Sequence, residues 1–539
     1  MNSAATESSL LNLELCVFKL EPCHLNPFFT RLPMPNTVFS TEILPDGNAC
    51  RYDPPRDPCI IVILGASGDL TSRKIIPSLY QLFLLGLLPR DCAVLGCARS
   101  KLDTAEFCSR LKQGVLEAGA DMSRWDDFSD KLYYHELVYE EKFSYGGLAE
   151  TMEQISRTHQ TGKNSLYYLA IPPFLFETVI TLLGQTGLAR ETEGCWRRII
   201  IEKPFGSDLE SAVRLDGILG NFFHEQQIYR IDHYLAKETV QNILAFRFAN
   251  SILEPLWNRK YIESVDICAL ETLGVEHRAG YYEKAGVLRD MFQNHMLQLL
   301  SLVAMEPPTQ FLSENVRSRK AKLFQALRPI NTESINDHIV LGQYTEGALE
   351  GHLVQGYRRE PGVDMQSLTP TFACMKVFID NKRWQGVPFY LTSGKRMGEK
   401  QTKITVQFKG VSRSVFRNGM MSSDSNNRLT FLIQPREKIS ISFRAKNPGP
   451  VMCLRPIDLE FCYDSDREGK IDAYEKVLID CLKGDQMLSL RQDSEELCWA
   501  FLTPLIEDCE QCIRTESILH FYPAGSSGPV EADKIRLNK

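Results

Sequence analysis

One uninterrupted apolar run, Cys59-Ile60-Ile61-Val62-Ile63-Leu64, stops at Gly65-Ala66-Ser67-Gly68-Asp69-Leu70. Ile75, Ile76, Leu79, Leu82 and Phe83 then follow at helical spacing. A strand with no polar position is buried on both faces, which only a sheet covered by helices on each side allows. Ala93–Ala98, Tyr167–Ile171 and Ile199–Ile201 are further continuous apolar strands, separated by helical stretches. Strands alternating with helices predict a parallel, doubly wound sheet. Residues 58–230 are therefore expected to form an α/β, Rossmann-type, coenzyme-binding domain.

The pattern changes after residue 260. Val265–Leu273, His338–Tyr344, Thr371–Ile379, Pro388–Leu391, Thr402–Phe408, Leu429–Gln434, Lys438–Phe443 and Asp458–Tyr463 read as strands. Several alternate polar with apolar, as in Lys438-Ile439-Ser440-Ile441-Ser442-Phe443. Such alternation marks an antiparallel sheet with one covered face. Val287–Met305, Asp472–Leu482 and Ser494–Glu507 are amphipathic and are expected to supply the cover. Residues 231–539 are thus expected to be an α+β substrate and oligomerisation domain with a large, mainly antiparallel sheet. Residues 1–57, rich in Pro and Asn, are expected to be a poorly ordered extension.

A net charge of −7 over 539 residues carries no basic excess, so nucleic acid is not an expected partner. The longest apolar stretch, near Leu79–Leu88, is broken by Gln81 and Gly86, so no membrane span is expected. Residues 1–20 lack a basic region and contain Glu7 and Glu14, unlike a secretory or transit leader. The sixteen cysteines are scattered among apolar segments, as in a reducing compartment. A cytoplasmic protein is the expectation. Cys509 and Cys512, the one Cys-x-x-Cys, lie in a helical stretch with no second pair, which is weak support for a metal or redox role.

Four segments carry chemistry. The glycine turn at Gly65, Ser67, Gly68, Asp69 and Leu70 stands between strand and helix, where a dinucleotide pyrophosphate binds to helix N–H groups. Arg99 ends the second strand, where an arginine favours the 2′-phosphate of NADP and an acid would favour NAD. Glu202-Lys203-Pro204-Phe205-Gly206 ends another strand and brings Lys203 to the carboxyl edge, with Ser207 and Glu210 expected to cap the next helix. Arg230-Ile231-Asp232-His233-Tyr234-Leu235-Ala236-Lys237-Glu238 packs cations, an acid and a phenol around few apolar positions. In it, Arg230, Lys237 and protonated His233 can neutralise a phosphate, and Asp232 can orient a histidine from elsewhere. Lys237 follows His233 by one turn if a helix starts there. His295 lies on the helical stretch Arg289–Met296, sharing a face with Met291, while Asp290 shares one with Asn294. No tight His/Asp/Glu cluster points to a metal, and hydride chemistry needs none.

Together these segments closely resemble glucose-6-phosphate dehydrogenases, from about Ile61 to Pro529. The landmarks are GASGDL at 65–70, CARS at 97–100, YYLAIPP at 167–173, EKPFG at 202–206, RIDHYLAKE at 230–238, RDMFQNH at 289–295, TPTFA at 369–373, VPFYLTSGK at 387–395 and YPAGS at 522–526. The resemblance implies oxidation of glucose 6-phosphate at C1 to the lactone with NADP, the first oxidative step of the pentose phosphate pathway, in a homodimer or homotetramer. It implies His295 as general base and Asp232 as its partner. It places His233, Tyr234 and Lys237 at the phosphate, with Lys203 bridging substrate and coenzyme. Glu271, Asp290, Lys395 and Lys400 take sugar-site positions, Lys400 standing where an arginine is common. Gly65, Ser67, Gly68, Asp69, Leu70, Lys74, Arg99, Tyr168 and Lys203 take the coenzyme positions. Ala236 replaces a usual glycine, so a negative-φ residue is expected to suffice there. A sugar oxidoreductase acting on an unphosphorylated substrate would leave His233, Tyr234 and Lys237 with nothing to bind. A non-catalytic NADP-binding protein would not need the Asp232/His295 pair.

Overall fold

The structure, a computed structural model, describes residues 54–410, 426–463, 471–516 and 518–537. The extension expected at residues 1–57 lies outside the described residues except for 54–57.

The first sheet has six strands, β1 (Cys59–Leu64), β2 (Cys92–Ala98), β3 (Leu132–Glu136), β4 (Ser165–Leu169), β5 (Arg197–Ile201) and β6 (Ile228–Arg230). All pair in parallel, in the order β3-β2-β1-β4-β5-β6. This is the order of a dinucleotide-binding fold, with its crevice at the carboxyl ends of β1 and β4. The apolar run of β1 explains itself here. Ile60, Val62 and Leu64 enter one core, while Cys59, Ile61 and Ile63 enter the core on the other face. β3 is absent from the expected strands, because Leu-Tyr-Tyr-His-Glu at the sheet edge is only partly buried and shows no continuous apolar signal.

The second sheet has nine strands: β7 (Ile262–Leu270), β8 (Ile339–Thr345), β11 (Phe372–Val377), β12 (Phe389–Gly394), β13 (Gln401–Phe408), β14 (Arg428–Gln434), β15 (Lys438–Lys446), β16 (Leu454–Cys462) and β17 (Leu519–Pro523). β9 (Gly347–Leu349) and β10 (His352–Val354) form a separate hairpin. The order is β16-β15-β14-β13-β7-β12-β11-β8-β17, antiparallel except at β7–β12 and β8–β17. Ile404, Val406, Leu429, Phe431, Ile433 and Ile439 alternate inward, as the sequence pattern requires. β17 and the hairpin are too short and mixed to announce themselves.

Two of the covering helices differ from expectation. Val287–Met305 is not one amphipathic helix. Gly286, at φ 56°, breaks the helical path at the end of the helix Ala279–Val287. Leu288–Met296 then winds as a π-helix and Leu297–Ala304 continues as an α-helix. From Asp290 to Met305 every residue is buried, so no face meets solvent and polar groups such as Asp290 and His295 are enclosed. The helix Ala473–Lys483 does not cover the second sheet. Its Val477, Leu478 and Leu482 share a core with Ile75, Ile76 and Leu79 of the first. The helix Gln492–Glu516 buries Trp499, Leu502 and Ile506 in the main core and carries Cys509 and Cys512, both buried and neither in a disulfide. Among the described residues, no helix is long and apolar enough to cross a membrane.

Candidate active site

The coenzyme end is built from the turn after β1. Gly65 has φ 101°, and a Cβ there would lie 2.1 Å from the Ala170 carbonyl oxygen, so only glycine fits. The Gly68 N–H and the Thr71 hydroxyl both donate to the Gly65 carbonyl, at 2.9 and 3.1 Å. Ser67 is exposed, and its hydroxyl oxygen accepts from Ser100 at 3.3 Å. Asp69 pairs with Arg73 at 2.7 Å, and Lys74 is exposed beside them. Arg99 is exposed at the end of β2, its guanidinium 6.0 Å from the Tyr139 ring centre. A turn with no side chain at Gly65, hydroxyl donors at Ser67 and Ser100, and cations at Lys74 and Arg99 fit a pyrophosphate with an additional phosphate on the ribose. Tyr168, near the carboxyl end of β4, is buried, and its hydroxyl donates to Glu202 Oε1 at 2.7 Å, next to Lys203.

The proton-handling centre joins three segments. Asp232 follows β6, Lys203 follows β5, and His295 sits in the π-helix. His295 Nδ1 lies 2.6 Å from Asp232 Oδ1, and Nε2 lies 2.7 Å from Lys203 Nζ. An ammonium only donates, so Nε2 holds the lone pair and Nδ1 the proton. Asp232 Oδ1 also accepts the Tyr234 N–H at 2.9 Å, while buried Oδ2 has no hydrogen-bond partner among the described residues. Burial alone would raise the Asp232 carboxyl, but His295, His233 and Lys203 hold it well below the usual range. Burial also pushes His295 below its ordinary value, against the pull of Asp232. The resting pair is therefore neutral imidazole beside carboxylate at pH 7. Tyr234 stacks on His295, ring centres 4.0 Å apart at 26°, and fixes its plane.

Around this centre stand the expected sugar-site residues. Lys203 Nζ donates to the Asp290 carbonyl at 3.1 Å and lies 3.6 Å from its carboxylate. Burial opposes ionisation of Asp290, yet Lys203, Lys395 and Arg278 hold it at about 2. Lys395, at the end of β12, pairs with Glu271 at 2.5 Å. These groups are balanced in sign and poised for hydroxyls.

His233, Lys237 and Lys400 mark a cationic end. Burial, then His295 and Lys203, push His233 down to about 3, so the expected imidazolium is a neutral donor in this state. Burial lowers Lys237 to about 8, and Lys400 adds to the shift. Lys237 does not lie in a helix with His233. It caps the helix Glu238–Phe248 after a turn, and its ammonium sits 4.4 Å from the Tyr234 ring centre. Ala236 keeps a negative φ, as expected. Arg230 is no phosphate ligand. It is 3% exposed and locked to Asp216 and to Glu225 at 2.9 Å, on the far side of its strand end. The cap after Lys203 is also reassigned. Asp208, not Ser207, accepts the Ser211 N–H at 2.8 Å and completes a capping box with Ser211.

The fold does create one tight cluster that the sequence hides: ligand atoms of Asp232, His233 and His295 lie within 4.8 Å of one another. Both ring nitrogens of His295 are already engaged, one by a carboxylate and one by an ammonium. That donor set suits a proton better than a cation. Sequence reasoning misses Glu202 and Tyr474 as site residues. Glu202 lies within a recognised motif, but Tyr474 comes from a helix remote in sequence and no spacing rule points to it.

Two family models match the chain, "Glucose-6-phosphate dehydrogenase, NAD binding domain" over residues 62–242 and "Glucose-6-phosphate dehydrogenase, C-terminal domain" over residues 244–539. The chain belongs to the glucose-6-phosphate dehydrogenase family. The glucose-6-phosphate 1-dehydrogenase of Aggregatibacter actinomycetemcomitans is 42% identical, covering 88% of this chain and 95% of that one. The enzyme of the same name from Bacillus subtilis is 41% identical, over 88% and 96%. A solved glucose-6-phosphate dehydrogenase, described as in complex with its substrate glucose-6-phosphate, superposes with a TM-score of 0.81 at 33% identity, over 90% of this chain and 98% of that one. That of Mycobacterium avium gives 0.75 at 30%, over 89% and 97%. As a member of this family the chain is an oxidoreductase with NADP as coenzyme. Both matched regions contribute to the centre, the first with Lys203, Asp232, His233 and Lys237, the second with Glu271, Asp290, His295 and Lys395.

Proposed function

We propose that the chain oxidises glucose 6-phosphate at C1 to 6-phospho-D-glucono-1,5-lactone, with His295 as base and Asp232 as its stabilising partner. The observation that carries this is the lone pair of a buried, neutral His295 Nε2, held outward by an Nδ1–Asp232 bond of 2.6 Å. NADP, held at Gly65, Ser67, Gly68, Asp69, Leu70, Lys74, Arg99, Tyr168 and Lys203, supplies the hydride acceptor. The O1–H proton passes to Nε2, and Asp232 stabilises the imidazolium that forms. Lys203 occupies the Nε2 position in the resting site, so the sugar hydroxyl takes its place and Lys203 turns to the substrate oxygen. Asp290, Glu271 and Lys395 orient the remaining hydroxyls. Lys237, Lys400 and a neutral His233 receive the phosphate, with Tyr234 behind them. A dianion there restores to Lys237 the proton affinity that burial removes.

Residues 58–230 serve as the coenzyme domain and 231–539 as the substrate and oligomerisation domain, in a homodimer or homotetramer. Free buried thiols such as Cys59, Cys97, Cys268 and Cys374 suit the reducing cytoplasm. The reaction places the enzyme at the first oxidative step of the pentose phosphate pathway. A steady-state assay with both coenzymes and both sugars tests the reading. Turnover is expected with glucose 6-phosphate and NADP, and far less with glucose. Coenzyme binding without turnover would replace the enzyme reading with a binding role.

A further inference from the structure

A neutral imidazole donates along one N–H direction, so His233 can serve a phosphate only if its ring plane is fixed. Its χ2 torsion is broad and fixes nothing by itself. Three rings meet it. Tyr234 stands at 58° and 5.0 Å, His295 at 75° and 5.0 Å, and Tyr474 at 13° and 6.1 Å. Of these three, the Tyr474 ring alone lies nearly parallel to the imidazole, in an offset stack that favours this ring plane over others.

Tyr474 is itself well held. It opens the helix Ala473–Lys483, where Asp472 accepts its N–H at 2.6 Å and Glu475 accepts the Asp472 N–H at 2.9 Å. The buried side of that helix is anchored in the core shared with the helix Ile76–Leu84. The Glu202 carboxylate lies near the Tyr474 hydroxyl and accepts the Tyr168 hydroxyl at 2.7 Å. A helix late in the chain thus docks on the first sheet's side of the molecule.

We propose that Tyr474 is a positioning residue for the phosphate end of the substrate: its ring sets the plane of His233, and the capped, core-anchored start of its helix keeps that ring in place. The inference rests on the assignment of His233 to the phosphate made above. In the full-length chain, Tyr474→Leu is expected to raise KM for glucose 6-phosphate about three- to tenfold, the scale of one aromatic pair. Its kcat, and kcat/KM for unphosphorylated glucose, should stay within about twofold, because neither depends on the phosphate. Tyr474→Phe keeps the ring and should return KM to within about threefold of wild type. In a His233→Ala background, Tyr474→Leu should add no further loss.

An unchanged KM in Tyr474→Leu, a Phe variant as impaired as Leu, or additive losses with His233→Ala would each overturn the proposal. Should the Leu variant not fold, Tyr474→Met carries the same comparison. Lys237→Ala separates this from the parent reading. Equal loss for both sugars there would remove the phosphate assignment itself. Loss for glucose 6-phosphate alone, with KM intact in Tyr474→Leu, would remove only the role of Tyr474.

Discussion

The coenzyme end and the proton-handling centre solve opposite problems. At the coenzyme end the working groups are exposed: Ser67 in the glycine turn, Lys74 in the helical turn after it and Arg99 at the end of β2. In the centre they are enclosed, with Asp232, Asp290 and His295 at 3%, 3% and 1% exposure. A large phosphate-bearing ligand brings its own charge and hydrogen bonds, so it needs only backbone room and donors at a helix start. A base must have its proton affinity set in advance, and that requires burial together with a fixed carboxylate. The contrast teaches where substitution should hurt. Changes at the exposed end should alter coenzyme choice, and changes in the enclosed centre should alter the chemical step.

Beside the base itself, the largest effect expected is at Asp232. Asp232→Asn should lower kcat by about 10²–10⁴, because His295 loses the carboxylate that orients it and stabilises its imidazolium, and leave coenzyme affinity within a few-fold. A stopped-flow turnover measurement beside a coenzyme titration checks this, and a parallel loss of coenzyme binding would blur the division between the two regions. Next comes Arg99→Asp. Loss of one charge-assisted contact of about 1.5–3 kcal/mol should raise KM for NADP about ten- to a hundredfold and leave NAD nearly unchanged. Equal loss for both coenzymes would make Arg99 structural.

Lys237→Ala should raise KM for glucose 6-phosphate about tenfold or more, with slow oxidation of glucose unaffected. The smallest effect is a pH dependence. Burial brings the Lys237 ammonium down to about 8, so its charge is lost as pH rises through that value. kcat/KM for glucose 6-phosphate should therefore fall on the alkaline side of pH 8, and Lys237→Ala should flatten that limb. His295 is lowered as well, so the acid limb should lie below the ordinary imidazole value, since the base stays neutral to lower pH. An acid limb above pH 7 would contradict the enclosed, neutral base.

Legibility in the sequence divides along the same line. Gly65, Ser67 and Arg99 are local features, since strand, turn and helix succeed one another along the chain. Period-two alternation likewise announces β13, β14 and β15. The centre is assembled from positions far apart: Lys203, Asp232 and His295 meet only after β5, β6 and the π-helix are in place. Residue types point to the chemistry there, but not to the Lys203–Nε2 contact or to the stacking of Tyr234. Arg230 shows the limit of reading charge as function. It belongs to the run of charged and polar groups that carries the site, yet Asp216 and Glu225, supplied by neighbouring elements, turn it into a buried strut. The helix Ala473–Lys483 has the expected amphipathic face, but periodicity does not name the sheet it will cover.

The central claim is that His295 takes the substrate proton at Nε2. The most direct measurement is the turnover of His295→Asn with glucose 6-phosphate and NADP, set beside the binding of both ligands. The account predicts a fall in kcat of several orders of magnitude, with KM for both ligands within a few-fold of wild type, because the lost group acts in the transition state. A variant that keeps near-normal kcat would remove His295 from the chemistry and the dyad with it.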